Sequence, residues 1–346
     1  MPRSRTPCCS PSTPGWRQIS DPTRDSHDFT YGFGMLSQRT IGDVRVSAVG
    51  LGCMPLSNGR MVDNREQAVD TIHAALDAGI TLLDTANIYA PSWDAVGHNE
   101  ALVAESIRTY SGPASLTDVL ITTKGGITRS EGEVWGRDSA PDALARACEA
   151  SLTELGVDII DLYQHHRHDP DMTYLEQIRA LQGLKDSGLI RRIGLSNVTA
   201  VELDLAITEL GSASEGGVVS VQNELSPRYR ADLDVLERCE KEGIAFLPWS
   251  PLGGATHAKD VGSRFASFAE VAEELGSTPQ EVTIAWLLRV SPVMIPIPGA
   301  TRPETVASIV RALSLTLSDE QFARLDATEP EHTSMYPEDQ PRSPLR

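Results

Sequence analysis

The chain has 346 residues, enough to bury a full core as one large barrel or as two smaller domains. Its 48 Asp and Glu against 30 Lys and Arg give a formal charge of −18, so a nucleic-acid backbone or an anionic membrane surface would be repelled. The five cysteines (Cys8, Cys9, Cys53, Cys148 and Cys239) form neither a CxxC pair nor a dense scaffold pattern, which argues for a reducing cytoplasm rather than a secreted, disulfide-stapled protein.

Residues 1–34 are rich in Pro, Ser, Arg and Asp without helical or strand periodicity, and are expected to be a disordered extension. Met35 reads as the natural start, and the acidic residues before it argue against an organelle transit peptide. No apolar run reaches the length of a membrane span, so a soluble protein is expected. From Val44 onward short apolar runs alternate with amphipathic stretches, the pattern of βα units and a parallel sheet. The predicted strands are VRVSAVGLG, GITLLDTA, SLTDVLITTK, VDIIDLYQHH, IRRIGLSN, VVSVQNE, IAFLPWS and VMIPIPG. Between them, REQAVDTIHAALDAG, DALARACEASLTELG, TYLEQIRALQGLKDSG and ADLDVLERCEKEG repeat apolar residues three and four apart and close on glycine, as helices do. Eight such units over residues 35–327 predict an α/β chain folded as a single-domain (β/α)8 TIM barrel, with residues 328–346 left as a polar C-terminal tail. A doubly wound sheet would need a third glycine in GLGCMP, where Pro55 stands instead.

In a barrel of this kind the chemistry gathers at the C-terminal ends of the strands. Here polar residues interrupt the apolar runs at those ends: Asp84, Lys124, His166, Ser196 with Asn197, Gln222 with Asn223, and Trp249. Strand alternation turns Leu82 and Asp84 to one face, Thr122 and Lys124 likewise, and Gln164 with His166. Asp84 and Lys124 can therefore pair inside the barrel mouth, within reach of Tyr89. A tyrosine is a weak acid, with an unperturbed pKa of about 10, and needs a cation and a polar relay to give up its proton. The same alternation sends His165 away from His166, so His165, His166, His168 and Asp169 do not read as a metal cluster; no metal site is expected.

This ordered set resembles the catalytic Asp, Tyr, Lys, His tetrad of the aldo-keto reductase family. GLGCMPLS, LYQHHR, GLSN, VQNE, PWSPLGG and IPIPGATRPE are similar to family segments as well, and the likeness runs from about residue 38 to 327. The resemblance implies an NAD(P)H-dependent oxidoreductase that interconverts aldehydes or ketones and alcohols, with hydride from the nicotinamide and a proton from Tyr89. Lys124, held by Asp84, would lower the pKa of the tyrosine, and His166 would orient the carbonyl oxygen. The resemblance further implies that Ser196, Asn197 and Gln222 bind the nicotinamide carboxamide, that Trp249 stacks on the ring, and that Ser250, Leu252 and Gly253 wrap the pyrophosphate. Gly299, Ala300, Thr301 and Arg302 would meet the adenosine end. Many members carry Lys-Ser where this chain has Gly299-Ala300, and an arginine where it has Thr305. Arg302 then becomes the expected partner of a 2′-phosphate, giving NADP(H) as the expected cofactor and NAD(H) as the other possibility.

Met54, Trp93 and Trp135 are candidates for the substrate pocket and equally for loop anchors, while Cys53 reads as a buried filler. A nicotinamide-sensing auxiliary subunit on the same fold is the second functional reading. A sugar hydrolase is disfavoured because no second strand-end carboxylate pairs with Asp84. Residues 90–99, residues 125–138 and the tail after 327 are the expected specificity loops for a small-molecule substrate; neither the substrate nor the oligomeric state is readable from them.

Overall fold

The computed structural model describes residues 36–336 of the chain, so the expectations for residues 1–34 and 337–346 lie outside the described residues. The run Val44–Gly52 is not one strand. Val44–Ser47 (β2) pairs antiparallel with Gln38–Ile41 (β1), and the barrel begins only at Leu51–Gly52 (β3). The chain reverses between β1 and β2 at Gly42, whose φ of +58° suits glycine, and a Cβ there would stand 2.8 Å from Val219. Ile41 and Val46 of this hairpin pack with Leu82, Leu120, Leu162, Val219, Ala245, Leu247, Ile295 and Ile297, the inward residues near the starts of the barrel strands. The hairpin is therefore a plug under the barrel, and its apolar residues fill the floor of the core.

The remaining strands follow the predicted order: Leu82–Asp84 (β4), Leu120–Gly125 (β5), Leu162–His165 (β8), Ile193–Ser196 (β9), Val218–Gln222 (β10) and Ala245–Phe246 (β11). They run parallel in the order β3, β4, β5, β8, β9, β10, β11. Residues 293–299 close the circle as the eighth strand. The N–H groups of Ile295 and Ile297 donate to Phe246 and Pro248 on one side, while the carbonyls of Pro296 and Pro298 accept from Gly50 and Gly52 on the other. Pro296 and Pro298 have no N–H to give, so the ladder on the β3 side runs at half density. Closure also needs glycine. A Cβ on Gly52 would stand 2.8 Å from the Ile297 carbonyl oxygen, and one on Gly299 would stand 2.7 Å from Pro55.

Helices cover the outside: Arg65–Asp77 (α1), His98–Thr109 (α2), Pro141–Leu155 (α3), Tyr174–Asp186 (α4), Ala200–Leu210 (α5), Leu233–Glu242 (α6) and Pro279–Val290 (α10) among them. Their buried faces form two apolar shells against the outer surface of the sheet. Capping boxes fix several starts, including Thr173 with Glu176 and Thr199 with Glu202, and α3 and α6 end on left-handed Gly156 and Gly243. One feature departs from expectation. Residues 125–138 contain a second hairpin, Ile127–Ser130 (β6) paired with Val134–Arg137 (β7), rather than a plain loop. The loop after Ser250 carries two short helices, Gly254–His257 (α7) and Val261–Arg264 (α8), followed by Ala266–Leu275 (α9); Pro303–Ala312 (α11) and Asp319–Asp326 (α12) complete the chain.

Candidate active site

Lys124 sits near the end of β5 with no exposed surface, directly beside Asp84 at the end of β4. Its ammonium donates to both Asp84 oxygens at 2.9 and 2.8 Å, to the Thr85 carbonyl at 2.8 Å, and to the Tyr89 hydroxyl at 3.3 Å. Burial alone would push the lysine towards its neutral form, but Asp84 and Tyr89 outweigh it and hold the ammonium above its ordinary pKa. The result is a fixed cation against a phenol in a low-dielectric mouth.

Tyr89 is half-buried on the loop leaving β4, and its ring meets that of His166 edge-on, centroids 5.8 Å apart. Burial raises the phenol pKa above its ordinary value, Lys124 pulls it back and Asp84 adds to the rise. The expected lowering is thus present as the lysine's own effect but does not win. Burial, with Lys124 adding to it, holds His166 well below the ordinary histidine pKa, so its ring is neutral near pH 7. Its Nδ1 has no hydrogen-bond partner among the described residues. His165 faces the other way: its Nε2 lies 2.9 Å from Ser139 Oγ and its ring lies against Tyr174 of α4.

Beside this set, the next three strand ends form one connected wall. Ser196 Oγ donates to the Gln222 carbonyl at 2.7 Å, Asn197 donates to the His166 carbonyl at 3.0 Å, and Trp249 Nε1 donates to Asn197 Oδ1 at 3.1 Å. Asn197 holds a φ of +58° and Ser250 one of +48°, uncommon for non-glycine residues and found at both turns out of the barrel. Gln222 donates to Asp84 Oδ1 at 2.7 Å. Leu252 and Gly253 line a small cavity with Arg228, Arg264 and Phe265. Gly299, Ala300, Thr301 and the exposed Arg302 lead straight into the N-terminus of α11, and Gln67 anchors them by donating to the Thr301 carbonyl at 2.6 Å. These residues fit a nicotinamide dinucleotide. They offer an aromatic face, amide groups able to both donate and accept, a glycine-lined cavity with two guanidinium groups, and a helix N-terminus for phosphate.

Met54, Trp93 and Trp135 are all exposed. Trp93 and Trp135 are tied into one cluster, since Glu133 accepts from the Trp93 N–H at 3.0 Å and from Arg129, whose guanidinium lies 4.9 Å from the Trp135 ring. Arg129 also donates to the Ala90 carbonyl, so the β6–β7 hairpin is pinned to the loop that carries Tyr89. Cys53 is fully buried within the apolar shell, its thiol is pushed up by burial and nearby Asp84, and its Sγ donates to the Leu51 carbonyl at 3.6 Å. Among the described residues no group of three His, Cys, Asp or Glu is placed to hold a metal ion.

The tail is where sequence reasoning missed most. Residues 328–336 are packed: Glu331 bridges Arg228 and Arg264 at 2.8 and 2.6 Å, Ser334 and the Met335 N–H donate to buried Glu224, and the Tyr336 ring lies 5.7 Å from Trp249 and 5.0 Å from Arg167. No local pattern announces these contacts, because every partner is at least 67 residues away in the chain. For the β6–β7 hairpin a signal existed: ITRS and VWGR flank a glycine-containing turn.

A family model described as "Aldo/keto reductase family" matches residues 48–330. An uncharacterized oxidoreductase of Schizosaccharomyces pombe is 34% identical over 83% of this chain and 88% of its own length. Pyridoxine 4-dehydrogenase of Escherichia coli is 30% identical over 83% of this chain and 96% of its own. An aldo/keto reductase from Klebsiella pneumoniae, crystallised with NADP and acetate and also with NADPH, superposes with a TM-score of 0.70 at 26% identity, over 90% of this chain and 99% of that one.

Proposed function

The chain belongs to the aldo/keto reductase family of oxidoreductases, and from that premise we propose that it reduces aldehydes or ketones to alcohols, and runs the reverse reaction, with NADP(H) as cofactor and Tyr89 as the proton donor. The observation that carries this reading is the buried Lys124 ammonium, joined at once to the Asp84 carboxylate and the Tyr89 hydroxyl. A bound reduced nicotinamide would supply the hydride to the carbonyl carbon.

The residues divide the remaining work. Tyr89, kept protonated at neutral pH by its raised pKa, gives its proton to the carbonyl oxygen as that oxygen gains charge. Lys124 stabilises the phenolate left behind, and Asp84 keeps the lysine charged and in place. His166, neutral and beside the Tyr89 ring, donates its N–H to the same oxygen and fixes its direction. Ser196, Asn197, Gln222 and Trp249 hold the nicotinamide end. Ser250, Leu252 and Gly253, with Arg228 and Arg264 beside them, hold the diphosphate. Gly299, Ala300, Thr301 and Arg302 receive the adenosine end, with the exposed Arg302, whose Nε donates to Thr305 Oγ1 at 3.3 Å, turning its terminal nitrogens to a 2′-phosphate. The complexes of the Klebsiella relative with NADP and NADPH support that choice of cofactor. Met54, Trp93 and Trp135 line the approach taken by the carbonyl substrate.

The test is Tyr89→Phe. NADPH binding, followed by quenching of tryptophan fluorescence, stays within about twofold, while turnover on a panel of simple aldehydes falls by about two to four powers of ten. Undiminished reduction by the variant refutes the assignment. Tight NADPH binding by the wild-type protein without repeated turnover on any of the panel would instead mark it as a cofactor sensor.

A further inference from the structure

The floor of the site holds a group that the proton-transfer scheme does not use. Gln164 lies on β8 with no exposed surface, facing inward opposite Lys124 in the β5–β8 pairing. Its side chain fits there because the neighbouring position on β9 is Gly194, where a Cβ would stand 2.7 Å from Gln164 Cγ. The Gln164 amide donates to Thr122 Oγ1 at 2.8 Å and points a second N–H at Asp84 Oδ1, 3.4 Å away. Its carbonyl end lies 3.5 Å from the Gln222 amide nitrogen, which in turn donates to the same Asp84 oxygen at 2.7 Å. Oδ1 thus faces three donors, Lys124, Gln222 and Gln164, whereas Oδ2 takes only Lys124 among the described residues.

The electrostatic consequence follows from the arrangement. Asp84 and Lys124 act on the Tyr89 hydroxyl with opposite signs, so the phenol responds to the difference between them. Amide N–H dipoles aimed at the carboxylate offset part of its negative charge without touching the ammonium. They also hold the carboxylate in one orientation, because Gln164 is itself fixed between Thr122 and Gln222.

We propose that Gln164 is a positioning residue of the proton-transfer site: together with Gln222 it clamps and partly screens Asp84 Oδ1, and so leaves more of the Lys124 charge acting on the Tyr89 hydroxyl. The proposal rests on the reading of Tyr89 as the proton-transferring group. It assigns Gln164 no contact with substrate or cofactor.

Gln164→Met tests it, since methionine matches glutamine in length and volume but has no amide. The readout is the pH profile of kcat for benzyl alcohol oxidation by NADP+, the direction that needs Tyr89 to accept a proton. Loss of the amide strengthens Asp84 against the phenol, so the rising limb moves to higher pH. The variant is roughly threefold slower on that limb and converges with wild type at the alkaline end. NADP+ affinity stays within about twofold. A residue that mattered only for packing would lower kcat by the same factor at every pH, and that result overturns the proposal, as does an unmoved profile. Should the methionine variant fold poorly, Gln164→Leu serves in the same assay.

A second measurement does not depend on turnover. With tyrosine labelled at the 13Cζ position, the Tyr89 resonance, assigned by its loss in Tyr89→Phe, is titrated in both proteins. Its transition moves to higher pH in Gln164→Met. A moved resonance in a protein that turns over none of the alcohols or aldehydes sinks the proposed function and leaves this inference standing. Full turnover with an unmoved resonance sinks the inference alone.

Discussion

Lys124→Met removes one ammonium group and little volume, and the structure allows its two consequences to be separated. For catalysis, a cation 3.3 Å from a phenolate oxygen is worth about 5 kcal/mol at an effective dielectric constant of about 20. Asp84 behind it cancels part of that, leaving about 2–3 kcal/mol, or roughly two powers of ten in kcat for carbonyl reduction. For stability, the variant strands the buried Asp84 carboxylate and leaves the Thr85 carbonyl without its donor. Breaking a buried pair in this way costs about 3–5 kcal/mol, only partly softened by the Gln222 amide. Adding Asp84→Asn takes away the stranded charge, so the double variant regains at least about half of the lost stability in urea unfolding while its turnover stays low. The assays are NADPH consumption with 4-nitrobenzaldehyde and a double-mutant cycle in urea. If Lys124→Met turns over within about threefold of wild type, or if the double variant regains activity together with stability, then the ammonium is not what prepares Tyr89 and the reasoning fails.

Acid should unfold the protein early. Burial holds His165 at about 4 and His166 well below its ordinary 6.5, so both stay neutral in the fold while the unfolded chain takes up protons as pH drops below about 6.5. Stability is complete above that pH and falls towards pH 4, by about 3 kcal/mol for His165 alone; a urea midpoint that is flat from pH 7 to pH 4.5 would contradict this. Glu331→Ala frees Arg228 and Arg264 beside Gly253, and NADPH is expected to bind several-fold more tightly by fluorescence titration; unchanged or weaker binding would show that the two guanidinium groups do not meet the cofactor. Gly52→Ala drives a methyl group to within 2.8 Å of the Ile297 carbonyl oxygen at the barrel seam and should cost about 1–3 kcal/mol by thermal melting, whereas an unaltered melting temperature would mean that the seam yields easily.

The parts of the site carried by strands were legible because a strand's side chains alternate, so a polar residue at the right parity near the end of an apolar run can only face the barrel mouth. Asp84, Lys124, Gln164 and His166 were all placed inward on that ground, and Asp84 and Lys124 do meet. The same rule misread Val44–Gly52, since alternation continues through Ser47 although the hydrogen-bonded partner changes there from β1 to the barrel. Pairing is a long-range choice that a local period does not report. The net effect on the Tyr89 pKa was likewise out of reach: a neighbouring cation is visible in the residues, but the burial that outweighs it belongs to the folded loop.

The segments proposed to surround the substrate approach have the opposite character. The β6–β7 hairpin reaches the Tyr89 loop through Arg129 to Ala90, and the tail reaches the strand ends through Glu331 to Arg228, Ser334 to Glu224 and Tyr336 to Trp249. Each contact joins residues far apart in the chain, between elements whose own composition is merely polar. On the hairpin and tail side these contacts are made by Arg129, Glu331, Ser334 and Tyr336, none of which is a residue of the barrel strands. The groups proposed for proton transfer are instead tied to the barrel ladder: Asp84 and Lys124 lie on adjacent paired strands, and a shift of one residue would turn either of them out of the mouth. The proposed reaction type is therefore written in strand periodicity, and on the same proposal substrate choice is written in segments whose meaning exists only once the barrel has brought them together.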